Sequence, residues 1–193
     1  GDALVILERP MLAPHLGGTG HDNLAETTLH HGRRILWADQ GPFALALAAA
    51  NTHQLDAWAA TSAGVVGSSD GWQDFNQHGA LTWQFDTAGP GNVALIGELP
   101  RQATLALAFS SSRISAATLA FSALCRPFEE VWGQNVADWQ AWRRQVQIPA
   151  GLPPAIEEQF SISAMVLRVH QDKTYPDAMV ASLSVPWGST HDD

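Results

Sequence analysis

The sequence predicts a mainly β fold with C-terminal helices, an antiparallel sandwich that gives way to helical structure. Three observations predict it. Apolar residues recur at every second position through residues 3–109, Gly and Pro interrupt them at short intervals, and after Pro127 the spacing changes to three and four.

In the first part, Phe43, Leu45 and Leu47 alternate with alanines, Leu81, Trp83 and Phe85 with Thr82 and Gln84, and Leu105, Leu107 and Phe109 with Ala106 and Ala108. Successive side chains of a strand point to opposite faces, so each set lines one face. Turns fall at Gly17-Gly18, Gly41-Pro42, Gly89-Pro90-Gly91 and Leu99-Pro100. Alanine on the second face of a strand makes a poor solvated surface, so several strands are expected to be covered on both sides, by another sheet or by helices.

Past Pro127, Phe128, Val131, Trp132, Asn135, Val136, Trp139, Trp142 and Val146 share one helical stripe. Pro127 suits the first turn, Glu129 and Glu130 the positive end, and Arg143 and Arg144 the negative end. Three tryptophans at this spacing read as core contacts to a neighbouring element rather than a sugar-stacking platform. Pro149, Pro153 and Pro154 make residues 147–154 a linker. A second helix follows over residues 155–170, with Ile156, Phe160, Ala164 and Leu167 on one face, and residues 178–188 read as an extended loop. The expected division is a β-sandwich domain over residues 1–126, a helical linker over 127–154, and the start of a further domain over 155–193.

Composition narrows the function classes. A chain of 193 residues with 46% hydrophobic and 15% charged residues can bury a sizeable core. Nineteen acidic against ten basic residues give a formal charge of −9, which argues against a nucleic-acid partner. The longest apolar run, around residues 43–50, is too short to span a membrane, and no signal peptide is visible; the compartment stays undetermined. The single cysteine, Cys125, reads as a buried structural thiol and excludes an intrachain disulfide. The abrupt start at Gly1-Asp2-Ala3 and the polar end Ser189-Thr190-His191-Asp192-Asp193 suggest a piece of a longer polypeptide.

No catalytic constellation is legible. His15, His21, Asp22, Glu26, His30 and His31 match no metal-ligand spacing, so no metal or other cofactor is expected. Asp70-Gly71-Trp72-Gln73-Asp74 reads as a tight turn closed by local hydrogen bonds, since the calcium-loop pattern is absent. Ser110-Ser111-Ser112 lacks the context of a nucleophile elbow and reads as a strand end. Glu129, Glu130, Glu157 and Glu158 sit where carboxylates stabilise a helix N-terminus.

Residues 169–188, Val-His-Gln-Asp-Lys-Thr-Tyr-Pro-Asp-Ala-Met-Val-Ala-Ser-Leu-Ser-Val-Pro-Trp-Gly, resemble the start of the catalytic domain in bacterial glucoamylases and glucodextranases of glycoside hydrolase family 15. That pattern runs close to H-E-D-K-T-Y-P-G-A-x-V-A-S-x-S-x-P-W-G; Gln171 stands in place of its Glu and Asp177 in place of its Gly. Leu12-Ala13-Pro14-His15-Leu16, Trp37-Ala38-Asp39-Gln40-Gly41-Pro42, residues 67–74 and the helix of residues 132–144 are similar to the same family. The resemblance implies a super-β-sandwich, a linker helix and the first helix of an incomplete (α/α)6 barrel, in a parent enzyme that releases glucose from the non-reducing ends of α-glucans with inversion. The segment itself is then non-catalytic scaffold. Its partners are the remainder of the polypeptide and, for the parent, the α-glucan. No catalytic residue carries over; Trp187 alone is placed near a sugar site. A freestanding carbohydrate-binding module and a related glycoside phosphorylase are the alternatives.

Overall fold

The computed structural model describes residues 4–12, 22–172, 174, 175 and 177–180. The chain divides into two compact units, residues 1–128 and 129–193.

The first unit is an antiparallel sandwich. Strands β1 (Leu4–Glu8), β7 (Val93–Leu99) and β5 (Ala60–Val65) form a three-stranded sheet in the order β1-β7-β5. Strands β6 (Thr87–Gly91), β2 (Asn23–His30), β3 (Arg33–Gln40), β4 (Phe43–Ala50) and β8 (Thr104–Ser110) form a five-stranded sheet in the order β6-β2-β3-β4-β8. Between the sheets lies a core of Leu36, Ala38, Leu45, Leu47, Ala63, Val93 and Leu95, capped by Trp58. Gly97 makes room for that cap: a Cβ there would stand 2.4 Å from the Trp58 ring.

The alanines have the cover expected of them. Ala46, Ala48 and Ala50 of β4 pack, with Ile35, against Ala116, Ala117, Ala120 and Leu124 of helix α2 (Arg113–Leu124). Small side chains on both surfaces let the helix sit close to the sheet, and β4 is buried on both faces for all but its first residue. Helix α1 (Gly71–His78) lies on the outer face of the small sheet, where Phe75 packs against Ala60, Leu81 and Ile96.

Three expectations for this unit need correction, and one helix goes beyond them. Residues 70–74 are the N-cap and first turn of α1, with Asp70 Oδ1 accepting from the backbone of Trp72 and Gln73. Residues 81–85 are not a strand, because side-chain oxygens hold the N–H groups a ladder would use: Glu98 takes Leu81, Asp74 takes Thr82 and Trp83, and Ser62 takes Phe85. Helix α2 was not foreseen. Cys125 caps its C-terminus and is exposed rather than buried.

The second unit contains α3 (Phe128–Gln145), except its first residue, and α4 (Pro154–Val169). Both follow the spacing, and Pro154 occupies the first turn of α4, where its missing N–H has no partner to lose. No residue of α3 is buried, however, so its tryptophan stripe is not core: Trp132 is half exposed, and Trp139 and Trp142 meet edge to face at 5.6 Å. After α4 the chain folds back, with Gln171 bridging Met179 and Val180 N–H donating to the His170 carbonyl at 2.7 Å.

Candidate functional site

Three polar arrangements stand out. On the outer face of the large sheet, Arg113 opens α2 beside the Ser112 N-cap and reaches two strands. Its Nε donates to Asp39 Oδ1 at 2.7 Å and its Nη1 to Glu26 Oε2 at 2.6 Å, while the guanidinium lies 5.8 Å from the centre of the Trp37 ring. Trp37 Nε1–H also donates to Glu26 Oε2, at 3.2 Å. Both carboxylates thus bind one cation, which ties the start of α2 to β2 and β3. His30 stacks on Phe121 nearby; loss of solvation, and then the neighbouring His31, lower its pKa.

Beside the small sheet, Asp74 is fully buried. It accepts from Thr82 Oγ1 at 2.5 Å, from Thr82 N–H at 2.5 Å and Trp83 N–H at 2.9 Å, and meets His78 Nδ1 at 2.8 Å. Burial pushes its pKa up, but the hydrogen bonds from Thr82, Trp83 and His78 outweigh burial and bring it down to about 2. Its acceptors are spent on protein donors, so this carboxylate ties α1 to the following segment.

The second unit carries an open groove of about 330 Å³ lined by Trp142, Ala164, Leu167, Arg168, Gln171 and Met179. Arg168 Nη1 donates to Gln171 Oε1. Next to Gln171 in the chain, Asp172 accepts from the backbone of Tyr175 at 2.9 Å and Thr174 at 2.7 Å, and these bonds lower its pKa. Hydrolysis of a glycosidic bond with inversion needs two carboxyl groups roughly 6.5–9.5 Å apart across a substrate; the lining of this groove contains none.

Of the positions weighed from sequence, Trp187, His15 and His21 lie outside the described residues. Glu129, Glu130, Glu157 and Glu158 are exposed in the opening turns of α3 and α4 or beside them. Among the described residues no group of three or more His, Cys, Asp or Glu side chains is placed to hold a metal ion, and no helix is long and apolar enough to cross a membrane. The cluster around Arg113 was missed, since its members are 74 and 87 positions apart and no motif links them.

Residues 10–144 match the family described as Glucodextranase, domain N. The chain belongs to that family. Consistent with membership in the glucodextranase domain N family, it is 24% identical over 140 residues to the glucoamylase of Clostridium sp. (strain G0005), covering 70% of this chain and 19% of that protein. The crystal structure of a bacterial glucoamylase complexed with acarbose shares the fold: the TM-score is 0.75 at 21% identity, over 97% of this chain and 26% of that one. The chain therefore spans about a fifth to a quarter of the length of these relatives, and its sandwich is a glucoamylase-like N-domain.

Proposed function

We propose that this chain is the non-catalytic scaffold segment of a glucoamylase-like glycosidase of glycoside hydrolase family 15, which releases glucose from α-glucan ends by one inverting displacement. The observation that carries the reading is the pairing of the domain N match over residues 10–144 with coverage of only 19% of a curated glucoamylase. The polar groups described above agree with it, because each is engaged in holding an element in place. In this reading residues 1–126 buttress the enzyme, residues 127–154 link, and residues 155–193 open an (α/α)6 barrel that carries the acid and the base elsewhere in the polypeptide. Trp187 then lies on the approach to the sugar site, where an aromatic face stacks on a pyranose ring.

Activity assays test this directly. The purified 193-residue chain is expected to leave maltose and isomaltose intact, while the polypeptide encoded by the whole reading frame releases glucose of inverted anomeric configuration. Turnover by the short chain alone, or a whole polypeptide that acts only with inorganic phosphate, contradicts the proposal. Saturable binding of malto-oligosaccharides by the short chain favours a freestanding carbohydrate-binding module instead.

A further inference from the structure

Helix α2 meets β2 through two side-chain contacts whose spacings match. Arg113 reaches Glu26 at the start of the helix, and Phe121, two turns on, reaches His30. Two turns of helix rise about 12 Å, and the stretch of strand from Glu26 to His30 spans about 13 Å, so α2 runs alongside β2 in the same direction. The first contact is an ion pair. The second is a pair of nearly parallel rings, His30 and Phe121, with centres 6.4 Å apart and planes 8° from each other. His31 at 4.3 Å, edge to face, and Trp37 at 5.7 Å complete the surroundings of the imidazole. Among the described residues the His30 ring makes no hydrogen bond or ion pair, so aromatic packing alone holds it.

Charge decides what a proton on that ring does. A two-residue turn, His31 and Gly32 with φ of 51° and 74°, closes β2 onto β3 and sets Arg33 across from His30 on the same face. Trp37, further along that face, already has the Arg113 guanidinium 5.8 Å from its ring centre. Helix α2 offers nothing titratable between Ile114 and Leu124, with Cys125 and Arg126 beyond its end, and β4 and β8 offer nothing at all. The loop after β4 carries His53 and Asp56. The carboxylates are engaged: Glu26 and Asp39 by Arg113, and Asp56 by the Arg34 N–H at 2.9 Å. A proton on His30 therefore adds a positive charge among cations with no counter-ion of its own. Loss of solvation acts in the same sense. The C-terminal dipole of α2 pulls the other way, but weakly at a helix end open to water. That end is also the part of α2 easiest to release. Its closing bonds are long, 3.2 and 3.3 Å from the Cys125 N–H and 3.2 Å from the Arg126 N–H, and no left-handed glycine caps it.

We propose that His30 is a pH-sensitive latch for α2: as a neutral ring it holds Phe121 and the last turn of the helix against β2, and as a cation it releases them. The stability the contact supplies is whole above the ordinary imidazole value of 6.5 and is lost as pH falls below it, because the unfolded chain takes up the proton first. Only residues 125–127 separate α2 from α3, so the release loosens the stretch by which the chain leaves the sandwich. Nothing in this inference depends on the enzymatic reading.

Imidazole NMR titration and amide hydrogen exchange on the 193-residue chain test the latch. The His30 ring, assigned through its own backbone, should titrate below 6.5. With the intrinsic pH dependence of exchange divided out, the Ala123, Leu124 and Cys125 amides should exchange about tenfold faster at about pH 5.5 than at about pH 7.5. The Ala116 and Ala117 amides, in the alanine seam, should keep their protection. In His30→Gln the last-turn rates should agree at the two pH values, and Arg33→Gln, which removes one facing cation, should move the His30 titration upward. A His30 titration at or above 6.5 overturns the proposal. So do last-turn rates that ignore pH in the unsubstituted chain, or an acceleration that persists undiminished in His30→Gln. The first two of these readings require no variant to fold.

Discussion

Asp74 has no exposed surface, yet it is held as a carboxylate by donors from Thr82, Trp83 and His78. A carboxyl whose folded pKa lies below its unfolded value stabilises the fold fully above the unfolded pKa and loses that contribution as pH falls toward the folded one. For Asp74 the window runs from 3.8 down to about 2. Thermal unfolding across this range should show an acid limb that is flatter in Asp74→Asn, with the variant less stable at neutral pH because it cannot accept all four bonds. Asp177 makes a second case. Its φ is 67°, a region where glycine is at ease and a β-branched side chain is strained, and the related pattern has Gly at this position. Asp177→Gly should be neutral or stabilising. Asp177→Val should cost about 1–2 kcal/mol locally, visible as at least tenfold faster hydrogen exchange at the amides of Asp172, Ala178 and Val180.

At the scale of elements, α2 is placed by two devices. The first is the ion pair at its N-terminus, where Arg113 faces Glu26 and Asp39 with all three side chains about a quarter exposed. Arg113→Leu leaves two carboxylates without their shared cation and should lower unfolding stability by about 1–3 kcal/mol in urea titrations, with a double-mutant cycle against Glu26→Gln showing coupling. The second is the seam of alanines. Ala117 and Ala46 have no exposed surface, so a larger side chain has nowhere to go without lifting the helix. Ala117→Leu should destabilise by about 1–3 kcal/mol through overpacking, and Ala117→Gly should leave less of a footprint on the far core between the sheets. Exposed Leu119, two residues on, should accept polar substitution within about 0.5 kcal/mol.

For the molecule as a whole, the sequence made legible whatever depends on period and local chemistry. Alternation at residues 43–50 and 104–110 announced β4 and β8, and the stripe after Pro127 announced α3 nearly to the residue. Alanine on the second face of β4 announced that a cover was needed, without saying that α2 supplies it. Local signals for α2 do exist, in the Ser112 cap and the alanine-rich run behind it, but a short apolar segment can be read with either period. The strand pattern of residues 81–85 is a counterexample, since Asp74, Glu98 and Ser62 capture its backbone donors from positions eight to twenty-three residues away. What the chain determined by itself is which residues need burial and which way each element turns them, because those follow from bond geometry and hydrophobicity over a few residues. Only the tertiary structure decided which partner satisfies that need: Arg113 between Glu26 and Asp39, Trp58 over Gly97, and three large side chains of β8 facing solvent. Such pairings depend on distances between segments far apart in the chain, and those distances are set by the packing of the whole.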